Sequence, residues 1–238
     1  MEAARTGHDH SDKYEAMGAY HWRECDPNSA AFNPPLVARY EMLLRHVPAG
    51  RVIDVGAGDG YLAGRLASVC QEVVALEYEP SGVELAARML SDRANVSVMQ
   101  GSAYDIPFGD ASFDCAAMAD VIEHLDDPAR AVSECARVLR RGGVALFTTP
   151  QWRPDRVWDT RHVQEFKPDA LCNLLAPAFA SIEMRYAWPR FWSDAYRHPI
   201  GWRALRWAGR AGFNPFRDES ASPARHCQML AICRVPRR

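Results

Sequence analysis

Through the middle of the chain, short apolar runs alternate with longer stretches of helical periodicity. Residues 51–55, 72–77, 95–100, 112–119 and 142–149 are compact apolar runs bounded by turn residues, which predicts buried strands. Between them, 61–69, 81–90 and 128–140 read as helices, and Pro80 and Pro128 stand where the last two open. Strands and helices joined by short connections predict a mostly parallel sheet with helices on both faces. Upstream, 11–23 and 35–46 carry helical patterning across a Pro/Asn-rich break at 26–35, and 1–12 reads as a loose tail. Downstream of Pro150 the regularity falls. A short helix at 168–175, a strand at 180–187 and a last strand at 226–235 remain. A return without helices between those two strands predicts that they pair antiparallel at one edge.

Composition narrows the classes. With 238 residues, 48% hydrophobic and 24% charged, the chain can bury a substantial core and is not disordered. Lys+Arg of 28 against Asp+Glu of 30 leaves a net charge of -2, which argues against a nucleic-acid partner. No apolar run approaches the ~20 residues that span a bilayer, and the polar start lacks the apolar centre of a secretory signal. Cys25, Cys70, Cys115, Cys135, Cys172, Cys227 and Cys233 include no Cys-x-x-Cys pair. Reduced, buried thiols in a cytoplasmic protein are expected, with no disulfide framework or zinc knuckle. His8 and His10 form a lone tail cluster, and no metal is expected.

The segment Val52-Ile-Asp54-Val-Gly56-Ala-Gly58-Asp-Gly60 carries the most chemistry. A strand runs through three glycines directly into a helix, whose free N–H groups and lack of Cβ atoms let a ligand approach. A dinucleotide loop spaces its glycines Gly-x-Gly-x-x-Gly. Here Tyr61 occupies the third position. Asp54 would repel a pyrophosphate and suits an ammonium or a water network around a zwitterion.

This segment resembles motif I of the class I S-adenosylmethionine (SAM)-dependent methyltransferases, and the resemblance runs to about Gln164. Val73-Val-Ala-Leu-Glu77-Tyr78 matches the second strand, where an acid holds the ribose hydroxyls and the next residue packs on adenine. Gln100-Gly-Ser102-Ala103-Tyr-Asp-Ile-Pro-Phe resembles the adenine segment, with Ser102 in place of the usual Asp. The stretch from Ser112 through Ala119, Asp120 and His124 matches the fourth strand and its turn, and Gly142-Gly143 opens the fifth. The closest likeness is to ubiquinone-pathway and small-molecule enzymes. The resemblance implies an α/β, Rossmann-like seven-stranded sheet, mostly parallel, with an antiparallel edge strand. It implies SAM as cofactor, bound by Asp54, Gly56, Gly58, Gly60, Glu77, Tyr78, Ser102, Ala103, Ala119, Asp120 and His124.

For the acceptor side, Arg161-His162-Val-Gln-Glu165-Phe166-Lys-Pro168 resembles a His-x-x-Glu-Phe-x-Pro stretch of this subgroup. His162 is the candidate general base or substrate hydrogen-bond donor. The alternative is that it ties the loop to the domain. Tyr20, Trp22, Trp152, Trp202 and Trp207 are the candidate acceptor contacts. The chain divides into 1–48 (tail and lid helices), 49–187 (core), 188–224 (aromatic, Arg-rich insertion) and 225–238 (last strand). The insertion reads as a pocket cap, with a membrane surface or a homodimer contact as the alternatives. The expected reaction is methyl transfer to oxygen or nitrogen of a small-molecule acceptor. A membrane-associated quinone- or lipid-pathway enzyme and a non-catalytic SAM-binding regulator are the competing readings.

Overall fold

The computed structural model describes residues 12–235. The tail cluster at His8 and His10 lies outside them. Seven strands form one sheet: β1 (Arg51–Val55), β2 (Glu72–Glu77), β3 (Val96–Gln100), β4 (Phe113–Ala119), β5 (Leu139–Pro150), β6 (Ser181–Pro189) and β7 (His226–Arg234). Their order is β3-β2-β1-β4-β5-β7-β6. The first five run parallel, and β7 inserts antiparallel between β5 and β6. The expected antiparallel pair is present, with β6 at the edge. The order reverses between β1 and β4, so a crevice opens at their carboxyl ends, where such sheets bind ligands.

Nine helices flank the sheet among the described residues: α1 (Asp12–Met17), α2 (Tyr20–Cys25), α3 (Pro34–Leu44), α4 (Tyr61–Leu66), α5 (Pro80–Met89), α6 (Pro128–Val138), α7 (Pro168–Leu175), α8 (Arg190–Arg197) and α9 (Pro199–Arg210). Successive side chains of a strand point to opposite faces. Accordingly Val52 packs in the core shared with α3, α4 and α5, and Ile53 and Val55 in the core shared with α6 and α7. By the same alternation Asp54 points with Val52 into the first, apolar layer. Asn33 and Asp127 cap α3 and α6 by accepting from Leu36 and Arg130 N–H. All seven cysteines are free, six of them buried.

The structure departs from the sequence pattern in three places. The expected helix at 11–23 breaks at Gly18, whose φ of +60° ends α1 and turns the chain into α2. The helix expected to reach residue 140 stops at Val138. Leu139 already pairs with Phe113, and an irregularity follows before Val144 pairs with Cys115. Third, the return from β6 to β7 is helical. α8 and α9 do not cross the sheet. They fold back on α3, where Leu205 and Phe216 pack with Ala38, and Ser220 bridges back to Tyr186. The chain therefore re-enters the sheet at the end it left, which keeps β7 antiparallel despite the helices. No helix among the described residues is long and apolar enough to cross a membrane.

Candidate active site

A cavity of about 760 Å³ opens at the carboxyl ends of β1, β2 and β4. One half is made of strand ends and the turns that follow them. The glycine loop leaves β1 with φ of +77° at Gly56 and +58° at Gly58. A Cβ at Gly56 would lie 2.6 Å from Val121 Cγ2, and one at Gly58 would collide with the Tyr14 hydroxyl. The loop is latched to the next strand by Glu77, whose Oε2 accepts from Gly58 N–H at 2.7 Å. Glu77 Oε1 accepts from the N–H groups of Tyr78 and Glu79, both at 2.9 Å. A carboxylate offers about four lone-pair sites, so Glu77 retains acceptor capacity toward the cavity.

Asp54 is buried beneath the same loop, and its Oδ2 has no hydrogen-bond partner among the described residues. Burial, then the charge of Glu77, pushes its carboxyl up to about 8. An orphaned, buried carboxyl beside a second acid fits a ligand that brings a cation and hydroxyls, and disfavours a pyrophosphate. Ser102 Oγ accepts from Tyr104 N–H at 3.1 Å, and Ser102 and Ala103 both face the cavity. These groups fit SAM: Asp54 toward its ammonium end, Glu77 toward the ribose and the 101–104 turn toward adenine.

The other half is assembled from distant parts of the chain. Asp120 sits at the end of β4 with φ of +51°. Its carboxylate accepts from Arg39 Nη1 at 2.6 Å, and from Thr148 Oγ1 and Gln228 Nε2, each at 2.7 Å. Glu165 Oε1 accepts from the Trp158 backbone N–H at 2.9 Å and lies 3.3 Å from His162 Nδ1, so one carboxylate ties the 158 turn to an imidazole, while the Trp158 indole Nε1 donates to the Gln151 carbonyl at 2.9 Å. The His162 and His124 rings meet edge to face at 4.8 Å. Glu123 is buried between these groups. Burial, then the charge of Asp120, raises its carboxyl well above the usual range. Lys13 joins Arg39 and Arg161 in the lining, and burial, then repulsion from those two, lowers its ammonium to about 8.

Of the residues singled out from sequence, Asp54, Gly56, Glu77, Tyr78, Ser102, Ala103, Ala119, Asp120, His124, His162 and Tyr20 line this one cavity. Gly58 and Gly60 do not. Gly58 is covered by Tyr14, and Gly60 packs on Leu90 and Ala86 at the start of α4. Trp22 also lies outside the lining. Its Nε1 donates to the Asp59 carbonyl at 2.9 Å and its ring packs on Tyr61. Trp152 stacks under Lys167 in a separate hollow, Trp202 lies beneath Arg206, and Trp207 is 72% exposed. Arg206 and Arg210 donate to the carbonyls of Ala30, Pro27 and Ser29, fastening α9 to the loop before α3.

Several lining residues escaped the sequence reading. Trp158 and Trp188 supply the large aromatic walls in place of Trp202 and Trp207. Trp188 has φ of +56°, and its buried Nε1 has no hydrogen-bond partner among the described residues. Asp59, between Gly58 and Gly60, is fully buried and accepts from His21 N–H at 2.8 Å, with His21 Nδ1 2.9 Å from its other oxygen. An acid between two loop glycines is the signal that could have marked it as the anchor of α2.

A family model described as a methyltransferase domain matches residues 53–147. The chain is 38% identical over 153 residues to a Mycobacterium tuberculosis protein named "Probable S-adenosylmethionine-dependent methyltransferase", covering 61% of this chain and 54% of that one. It thus spans about half the length of the first curated relatives it matches. It is 30% identical over 177 residues to a demethylmenaquinone methyltransferase of Beutenbergia cavernae, covering 69% of this chain and 70% of that one. A crystal structure from Thermotoga maritima, described as a SAM-dependent methyltransferase and possible histamine N-methyltransferase, superposes with a TM-score of 0.68 at 18% identity. It covers 93% of this chain and 97% of its own.

Proposed function

Because this chain belongs to the class I SAM-dependent methyltransferases, we propose that it transfers the methyl group of SAM to an oxygen or nitrogen of a small-molecule acceptor. The observation that carries this reading is the single cavity, in which the carboxylate-and-glycine half and the histidine-and-aromatic half face one space. SAM, when bound, supplies a methyl group already activated by its sulfonium. The chain's own work is therefore alignment and exclusion of water.

Glu77 and the 101–104 turn fix the nucleoside end, and Asp54 the ammonium end. Tyr20, Trp158 and Trp188 wall the acceptor space and keep water from it. Trp188 Nε1, buried without an acceptor among the described residues, is the donor that would orient an acceptor oxygen or nitrogen. His162 removes the proton of a hydroxyl acceptor. Glu165 holds its Nδ1, which leaves Nε2 as the basic atom. A neutral amine acceptor needs only the positioning.

Turnover tests the reading. The purified chain, incubated with SAM and fractionated small-molecule extracts, should form S-adenosylhomocysteine together with a +14 Da product. Tight SAM binding with no S-adenosylhomocysteine formed from any fraction would instead favour the regulatory, non-catalytic reading.

A further inference from the structure

Glu123, His124 and His162 meet on one wall of the cavity, and each offers a ligand atom, all within 4.8 Å of one another. Two features set this group apart from a chance meeting of polar residues. The first is the histidine hydrogen bonding. His124 Nδ1 lies 3.3 Å from the Arg161 carbonyl oxygen and His162 Nδ1 3.3 Å from Glu165 Oε1. A carbonyl and a carboxylate oxygen only accept, so each Nδ1 carries the proton and each Nε2 the lone pair. Histidine ligands are oriented toward metals by this kind of contact. The second is Glu123, which is 1% exposed and whose carboxylate faces little more than the Thr149 hydroxyl, with neither oxygen in a well-formed hydrogen bond and no cationic partner bonded to it among the described residues. A buried carboxylate so sparsely bonded calls for a cation or a proton.

We propose that Glu123, His124 and His162 bind one divalent transition-metal ion. Two imidazoles and one carboxylate suit Zn²⁺, Co²⁺, Fe²⁺ or Mn²⁺ better than Ca²⁺ or Mg²⁺, which prefer all-oxygen sites. Three protein ligands on one side leave the remaining positions open to the cavity, as in catalytic rather than structural sites. Ligand bonds of about 2.0–2.2 Å require the three side chains to draw closer than 4.8 Å. The segment carrying His162 can follow Glu123, because Val163 and Gln164 N–H donate to the Glu123 carbonyl at 2.9 and 3.2 Å. The site goes beyond the methyl-transfer reading and does not require it. With an ion bound, the ion rather than His162 would lower the pKa of an acceptor hydroxyl.

The full chain, stripped of metal by chelator, is titrated with Co²⁺ and followed by its visible absorption, with SAM affinity measured on the same samples as the check of folding. One equivalent should bind, with bands of nitrogen- and oxygen-ligated Co²⁺. His162→Ala should abolish the bands while SAM still binds, and His124→Ala and Glu123→Ala should abolish them too, with circular dichroism as the check of folding for these two. Glu165→Gln, which removes the negative charge behind His162 Nδ1 and leaves an amide oxygen as acceptor, should weaken Co²⁺ by about 10–100-fold. Replacing His8 and His10 by Ala should change nothing. The proposal is overturned if SAM-competent protein shows no saturable Co²⁺ binding. It is also overturned if the bands survive both His162→Ala and His124→Ala, or vanish with the His8 and His10 replacements. Since SAM binding and turnover are read separately, loss of the metal site leaves the methyl-transfer reading standing.

Discussion

In the cofactor half of the cleft, Asp54, Gly56 and Glu77 come from two adjacent parallel strands and the turns that leave them. In the acceptor half, Tyr20 and Arg39 come from the helices before the sheet, Trp158 and His162 from the chain after β5, and Trp188 from the end of β6. Backbone geometry dominates the first half: positive φ at the glycines and N–H groups gathered by one carboxylate. Side-chain relays dominate the second: Arg39 to Asp120 to Thr148 and Gln228, and Glu165, held by the Trp158 backbone N–H, to His162. Local chain geometry is hard to replace, whereas a relay can be altered one member at a time. The two halves should therefore fail differently.

The largest effect is expected at the glycine loop. Gly58→Val should abolish SAM binding in a folded protein, as measured by calorimetry with circular dichroism as the control. The β-branched residue meets the Tyr14 hydroxyl and also holds φ at +58°, a strain of about 1–3 kcal/mol by itself. Adding Tyr14→Ala relieves the collision but not the strain, so recovery should be partial. Full recovery would show that Tyr14, not the backbone, sets the requirement.

His162→Ala should behave in the opposite way. SAM affinity should be nearly intact, while kcat for an oxygen acceptor falls by about 10²–10⁴-fold, with partial rescue at alkaline pH. A nitrogen acceptor should show a smaller loss, spread into KM. Full activity would reduce His162 to holding its loop.

Proton linkage sharpens the comparison further. The Asp54 carboxyl, raised to about 8 by burial, is protonated at neutral pH in the free protein and must ionise to meet an ammonium. Below that value SAM binding should release a proton, and affinity should rise by up to about tenfold per pH unit as pH approaches 8, flattening above it. Calorimetry in buffers of different ionisation enthalpy reads the proton release directly. Affinity independent of pH between about 6 and 8 would show that Asp54 stays protonated or is already ionised. His162→Ala should leave this profile unchanged.

The smallest effects separate the two sets of tryptophans. Trp188→Phe keeps the aromatic wall and deletes the indole N–H, so acceptor KM should rise by about 2–10-fold, the cost of one neutral hydrogen bond. Trp207→Ala, on the exposed side of α9, should leave KM and SAM affinity unchanged and move stability by no more than about 0.5 kcal/mol. A raised KM for Trp207→Ala would restore α9 as a lid.

Most of the fold and the cofactor half were legible because their signals are local. β-strand runs, prolines at helix starts and a glycine loop after β1 each act within a few residues, and parallel strands joined by helices allow few arrangements. The acceptor half was legible only as single residues. His162 and Tyr20 were found because each sits in a recognisable stretch. Trp202 and Trp207 were chosen over Trp158 and Trp188 because composition shows that tryptophans are present but not which way they face.

The chain's sequence by itself determined the alternation of strands and helices from β1 to β5, the turn of the glycine loop and the acids that flank it. Each is set by backbone sterics, periodicity or spacing along a short segment. Only the tertiary structure decided that β7 runs between β5 and β6, and that α8 and α9 fold onto α3 instead of crossing the sheet. It also decided that Asp59 anchors α2, and that Glu123, His124 and His162 converge. These outcomes depend on burial and hydrogen bonding between segments far apart in the chain. That partnership appears only when the apolar faces have packed and each buried polar group has found, or failed to find, its partner.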